Sequence, residues 1–112
     1  MFGVKSMATR TGHSVKSFMN SYIHYDASGN DTGLSRPMFN GKYEHLDKNG
    51  QHIGFSDPAF FGGYVHYDKN HNQTGRSDPA PGGGYFHYDI NGKQTGFSSP
   101  APLGGFVHYD LD

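Results

Sequence analysis

Residues 85–105 read YFHYDINGKQTGFSSPAPLGG, and this 21-residue unit recurs in phase along the chain. Its opening pentapeptide returns as YIHYD from Tyr22, YEHLD from Tyr43, YVHYD from Tyr64 and FVHYD from Phe106. Each start lies 21 residues after the last, with no insertion. A turn-like stretch follows the first four copies, then T-G-x-S or a close variant at Thr32–Ser35, Ile53–Ser56, Thr74–Ser77 and Thr95–Ser98. Proline comes two residues after each serine, at Pro37, Pro58, Pro79 and Pro100, and a glycine-rich exit closes the unit. A fixed period of this length marks a repeat architecture and outranks any other reading of the chain.

The unit translates into a β-hairpin. YxHYD is rich in β-formers and bounded by turn residues, so it reads as a strand. Asn49-Gly50 and Asn91-Gly92 predict type I′ turns, in which both central residues take positive φ. Q-T-G-x-S then forms the return strand. Its glycine (Gly33, Gly54, Gly75, Gly96) leaves room for a neighbouring aromatic ring over the backbone. Proline ends the pairing because it has no N–H to donate. Alternation sorts the first strand into two faces. One carries the aromatic residue, His and Asp; the other carries Ile23, Glu44, Val65, Phe86 or Val107 with Tyr25, Leu46, Tyr67, Tyr88 or Tyr109.

Composition agrees with an aromatic rather than an aliphatic core. The 112 residues include eight Tyr and nine Phe, 17 Gly, and no Cys or Trp. A single hairpin is barely stable in water, whereas stacked hairpins share a continuous core. The predicted fold is therefore all-β: tandem hairpins stacked as a solenoid or meander around aromatic residues. Its parts are a degenerate repeat or cap over 1–21, four hairpin repeats from 22, and a final half repeat over 106–112. A net charge of −1 argues against a general nucleic-acid binder. No apolar run is long enough for a transmembrane helix, and the N-terminus lacks a secretory signal's apolar stretch.

The two ends are complementary. Counting back one period from Thr32 lands on Thr11-Gly12-His13-Ser14, a return strand preceded by MFGVK in place of YxHYD. The other end stops after the first strand of a new unit, Phe106–Asp110. The segments carrying Thr11, Gly12 and Ser14 and those carrying Phe106, His108 and Asp110 therefore form the assembly ends. Paired within one chain, they close a ring of five hairpins. Paired between chains, they make a head-to-tail contact that grows into a filament. A third reading leaves residues 1–20 as a cap or flexible.

These residues carry a family resemblance. HYDINGKQTGFS resembles the choline- and glucan-binding wall repeats, with their aromatic-Tyr-Asp, glycine turn and Thr-Gly. It also resembles the tyrosine-aspartate repeats of Rhs-type shells. The likeness is closest to uncharacterised bacterial proteins built of tandem HYDxxGxxTGxS units with an exit like Phe60-Phe61-Gly62-Gly63. The resemblance spans 22–112 and implies a surface or extracellular setting. It carries no residue roles across: there is no Trp for a choline cage, and no cargo domain for a shell.

The repeated side chains predict structural ladders. Tyr22, Tyr43, Tyr64, Tyr85 and Phe106 are expected to stack. His24, His45, His66, His87 and His108, with Asp26, Asp47, Asp68, Asp89 and Asp110, are expected to lock adjacent units, each His donating to a neighbouring Asp or carbonyl. Each Asp should also cap its own turn. Imidazole and carboxylate on one face also suit Zn²⁺, Cu²⁺ or Ni²⁺, so the five histidines are the candidates for a metal ladder. Five identical copies favour the scaffold reading over the metal one, and no cofactor is expected. The Asp-x-Asn-Gly pieces lack the further ligands of a calcium loop. Neither a nucleophile elbow nor a phosphate loop is present, and the unrepeated His13, Glu44, His52 and His71 make no catalytic set. The sequence thus predicts a non-enzymatic structural protein that associates with itself. A module for cell-wall glycan or another ligand is the alternative, and a His/Asp metal binder the third. Neutral histidines packed between repeats further predict loosening towards pH 5.

Overall fold

A computed structural model of the chain describes residues 8–60, 62–102 and 104–111. MFGVK at 1–5, Phe61, Leu103 and Asp112 lie outside them. Among the described residues the chain forms ten antiparallel strands: β1 Ala8–Lys16, β2 Tyr22–Asp26, β3 Asp31–Pro37, β4 Tyr43–Asp47, β5 His52–Pro58, β6 Tyr64–Asp68, β7 Gln73–Pro79, β8 Tyr85–Asp89, β9 Gln94–Pro100 and β10 Phe106–Leu111. Each strand pairs with its chain neighbours, and β1 also pairs with β10, so the sheet closes into a barrel.

This corrects the expected solenoid or meander. An array that advances along an axis would leave two edge strands, and a closed sheet leaves none. The closing seam follows the rule of the hairpins. In β2–β3, His24 opposes Gly33 and Tyr25 opposes Asp31, with a bulge between them. In β10–β1, His108 opposes Gly12 and Tyr109 opposes Arg10, with the bulge at the same place. The β10–β1 seam thus repeats the register of a hairpin between strands that are not consecutive in the chain.

The turns differ from the type I′ expectation. The Gly50 N–H donates to the Asp47 carbonyl and the Asp47 N–H to the Gln51 carbonyl. Of the Asn49-Gly50 pair only Gly50 has positive φ, at 83°. The Asp47 carboxylate explains the difference: its Oδ1 accepts the N–H groups of Asn49 and Gln51, both at 2.9 Å, an Asx-turn that holds the preceding residues right-handed. The same carboxylate bonds recur at Asp26, Asp68 and Asp89. At Asp26 and Asp68 the backbone donors hold the carboxyl below its usual pKa.

The return-strand glycine is also explained differently. A Cβ on Gly54 would land on the carbonyl oxygen of Tyr67 in the next strand, and Gly12, Gly75 and Gly96 meet the same obstacle at Tyr25, Tyr88 and Tyr109. The crowding atom is backbone, not an aromatic ring. Gly50 faces open space and needs glycine only for its φ. Gly54→Ala should therefore destabilise the barrel by about 3 kcal/mol, as overpacking does, and Gly50→Ala by about 1 kcal/mol. Urea melts of the two variants check the order; equal losses would contradict the close strand approach.

Outward-facing side chains pack in cross-strand pairs. His13 stacks on Tyr25, Phe55 on Tyr67 and Phe97 on Tyr109, with ring centroids 4.8–4.9 Å apart. Arg76 lies over Tyr88 at 4.3 Å, and Leu34 opposes Leu46. The variable residue of T-G-x-S is thus the register partner of the fourth residue of the following strand, aromatic except at Leu46. Leu46 and Phe55, the buried apolar residues, belong to this outer layer. Glu44, which stands where the other units carry an apolar residue, pairs with Arg36 at 2.9 Å across β3–β4.

Candidate functional site: a histidine–serine ring

Alternation turns the other face of every strand into the lumen. From β2, β4, β6, β8 and β10 come His24, His45, His66, His87 and His108; from β1, β3, β5, β7 and β9 come Ser14, Ser35, Ser56, Ser77 and Ser98. Each serine is buried, at 2–4 % exposure. Each lies between two histidines. Ser35 Oγ is hydrogen-bonded to His24 Nε2 at 2.6 Å and to His45 Nδ1 at 2.5 Å. The pattern passes through Ser56, Ser77 and Ser98 at 2.5–2.6 Å. Ser14 completes it, reaching His24 Nδ1 and His108 Nε2, both at 2.5 Å.

The donor count of this ring is exact only when it is uncharged. A neutral imidazole has one donor and one acceptor nitrogen, and a hydroxyl gives one proton and accepts another. Five of each supply ten donors for ten bonds. If His24 donates through Nδ1 to Ser14, then Ser14 must donate to His108 Nε2, and His108 must again donate through Nδ1. The ring therefore runs in one sense throughout, with all five histidines in one tautomer. Protonating any imidazole adds an eleventh donor that has no acceptor in the ring.

Burial works in the same direction. Desolvation lowers the pKa of all five ring histidines, His45, His66 and His108 to about 4. Neighbouring histidines add to the lowering at these three. Asp31 opposes it at His24, Glu44 at His45 and Asp110 at His87.

A second layer lies between the ring and the end of the barrel where the exit loops lie. Tyr22, Tyr43, Tyr64, Tyr85 and Phe106 form a closed circle with neighbouring centroids 5.7–6.3 Å apart. With the histidines and serines they line a cavity of about 170 Å³. Burial raises the phenol pKa values of Tyr43 and Tyr64.

The sequence-predicted residues thus sort into separate places. The histidines share one ring and the aromatic residues share one circle. The aspartates sit two positions beyond, at the turn end, where four of them cap turns and Asp110 pairs opposite Gly96 and Thr9. The expected His-to-Asp lock is replaced by His-to-Ser: across the strands joined by an exit loop serine, not aspartate, is the register partner of histidine, as Ser14 is of His24 and Ser35 of His45, whereas across the hairpins that partner is glycine. Serine was the missed partner. Its signal was present: it stands ten residues before or eleven after each His, in equal number. Of the assembly ends, Gly12 and Ser14 oppose His108 and Phe106, and the Thr11 hydroxyl donates to the His108 carbonyl at 3.4 Å. Among the described residues no three His, Asp or Glu side chains gather as metal ligands. Comparison with protein-family models, curated proteins and solved structures returns no match to this chain.

Proposed function

We propose that this chain is a non-enzymatic structural repeat protein whose copies associate by exchanging the split fifth hairpin. One observation carries the reading: the β10–β1 seam has the register and bulge of the covalent hairpins but no connecting turn. β10 of one copy can therefore fill the same place on β1 of another and keep every contact, which is the low-cost route of strand exchange. Within one chain the ends meet at high effective concentration, so exchange is favoured by concentrated protein or by refolding at high concentration. Head-to-tail exchange then extends into a filament or surface assembly.

Light scattering after refolding over a range of concentrations tests this. The expected mass rises above 12.3 kDa with concentration. A chain carrying His13→Cys and Val107→Cys, oxidised across the seam where these residues are register partners, should stay monomeric and regain growth on reduction. A wild-type mass of 12.3 kDa under all conditions would overturn the proposal.

The cavity favours a second reading, a module for cell-wall glycan or another ligand, because aromatic walls beside fixed polar groups suit ligand recognition. Retention on purified wall material supports it, and absence of retention counts against it. A His/Asp metal binder is the third reading; a metal ion at the ring would have to displace the serine that holds each ring nitrogen.

A further inference from the structure

The exit loops all lie at one end of the barrel, because each joins a return strand to the next YxHYD strand. Three consecutive loops carry Phe at the same repeat position: Phe18, Phe39 and Phe60, exposed at 89, 89 and 94 %. Met19 beside Phe18 is 85 % exposed and Met38 beside Phe39 is 47 % exposed. The other two loops carry Pro81 and Pro102 there, so the apolar tips occupy one continuous arc of the rim. The loop between β1 and β2 holds Met19 at a φ of 58°, a conformation uncommon for a non-glycine residue. Exposed apolar area of this kind marks an interaction surface.

We infer that this rim docks on a lipid bilayer by inserting the three Phe tips into the headgroup region. The tips project from three separate loops. Protruding aromatic side chains suit the membrane interface, where the ring is buried and the backbone stays hydrated. Tyr22, Tyr43, Tyr64 and Tyr85 open strands next to the loop end, and Tyr is an interfacial residue. Charge points the same way. Among the described residues the turn end carries six Asp against four bases, whereas the loop end carries four bases against three acids. A negatively charged leaflet therefore repels the turn end and accepts the loop end. This inference is independent of strand exchange, which uses the seam.

Co-sedimentation of the full chain with vesicles of equal parts phosphatidylcholine and phosphatidylserine tests it. The wild type should bind. Phe18→Ser, Phe39→Ser and Phe60→Ser combined should weaken partitioning by about tenfold or more, given the apolar area withdrawn from lipid. Ile53→Ser with Ile90→Ser, exposed side chains of the opposite end, should leave binding unchanged. Circular dichroism of each variant establishes that the barrel is intact. Failure of the wild type to sediment with vesicles would overturn the proposal, as would undiminished binding by the triple variant. A doubled mass in solution that the triple variant abolishes, without vesicle binding, would overturn it in favour of a rim-to-rim pair.

Discussion

Acidification from pH 7 to pH 5 is expected to unfold the barrel. The five ring histidines have depressed pKa values when folded, so the unfolded chain takes up protons that the folded chain refuses. For such groups stability is complete above the ordinary imidazole value of 6.5 and is lost as pH falls towards the folded value, about 4 at three of them. At pH 5 those three alone contribute a loss on the order of 6 kcal/mol. His24 and His87 add to it in the same direction. That is comparable with the whole stability of a domain this size, about 5–15 kcal/mol. Thermal melts at pH 8, 6 and 5 check it. An unchanged midpoint would mean that the imidazoles are not held neutral.

The second large effect comes from two adjacent serines that differ in the face they occupy. Ser98 lies in the ring between His87 and His108; Ser99 points outward opposite Val107. Ser98→Ala removes both ring bonds and leaves one buried donor and one buried acceptor unsatisfied, at a cost of about 3 kcal/mol. In a domain of this size the midpoint should fall by roughly 15 °C. Ser99→Ala touches no ring atom and should stay within about 0.5 kcal/mol of the parent. Equal melting of the two variants would contradict the ring.

Much of this was legible in the sequence. The period fixed the hairpins, alternation placed His and the first aromatic on one face, and Thr11–Ser14 stood as the counterpart of Phe106–Asp110. Whether those ends meet in one chain depends on strand tilt and stagger, which no residue type encodes, so a solenoid or meander was an equal solution of the pattern. The ring partner was obscured for a similar reason. Pairing across the sheet joins residues ten and eleven positions apart, and the Asp two residues from each His seemed the nearer candidate. The turn type turned on a competition: Asn-Gly prefers two positive φ values, but the Asp carboxylate captured the N–H two residues on and left only Gly50 left-handed. Gly54 was recognised as a close approach, but the approaching group was a carbonyl of the next strand.

The ring itself is tested most directly by long-range ¹H–¹⁵N correlation of the imidazole side chains in uniformly ¹⁵N-labelled protein at neutral pH. The account predicts that His24, His45, His66, His87 and His108 are all neutral and all in one tautomer, since a single sense of donation runs through ten bonds. A mixture of tautomers within the five, or a charged imidazole among them, would contradict it.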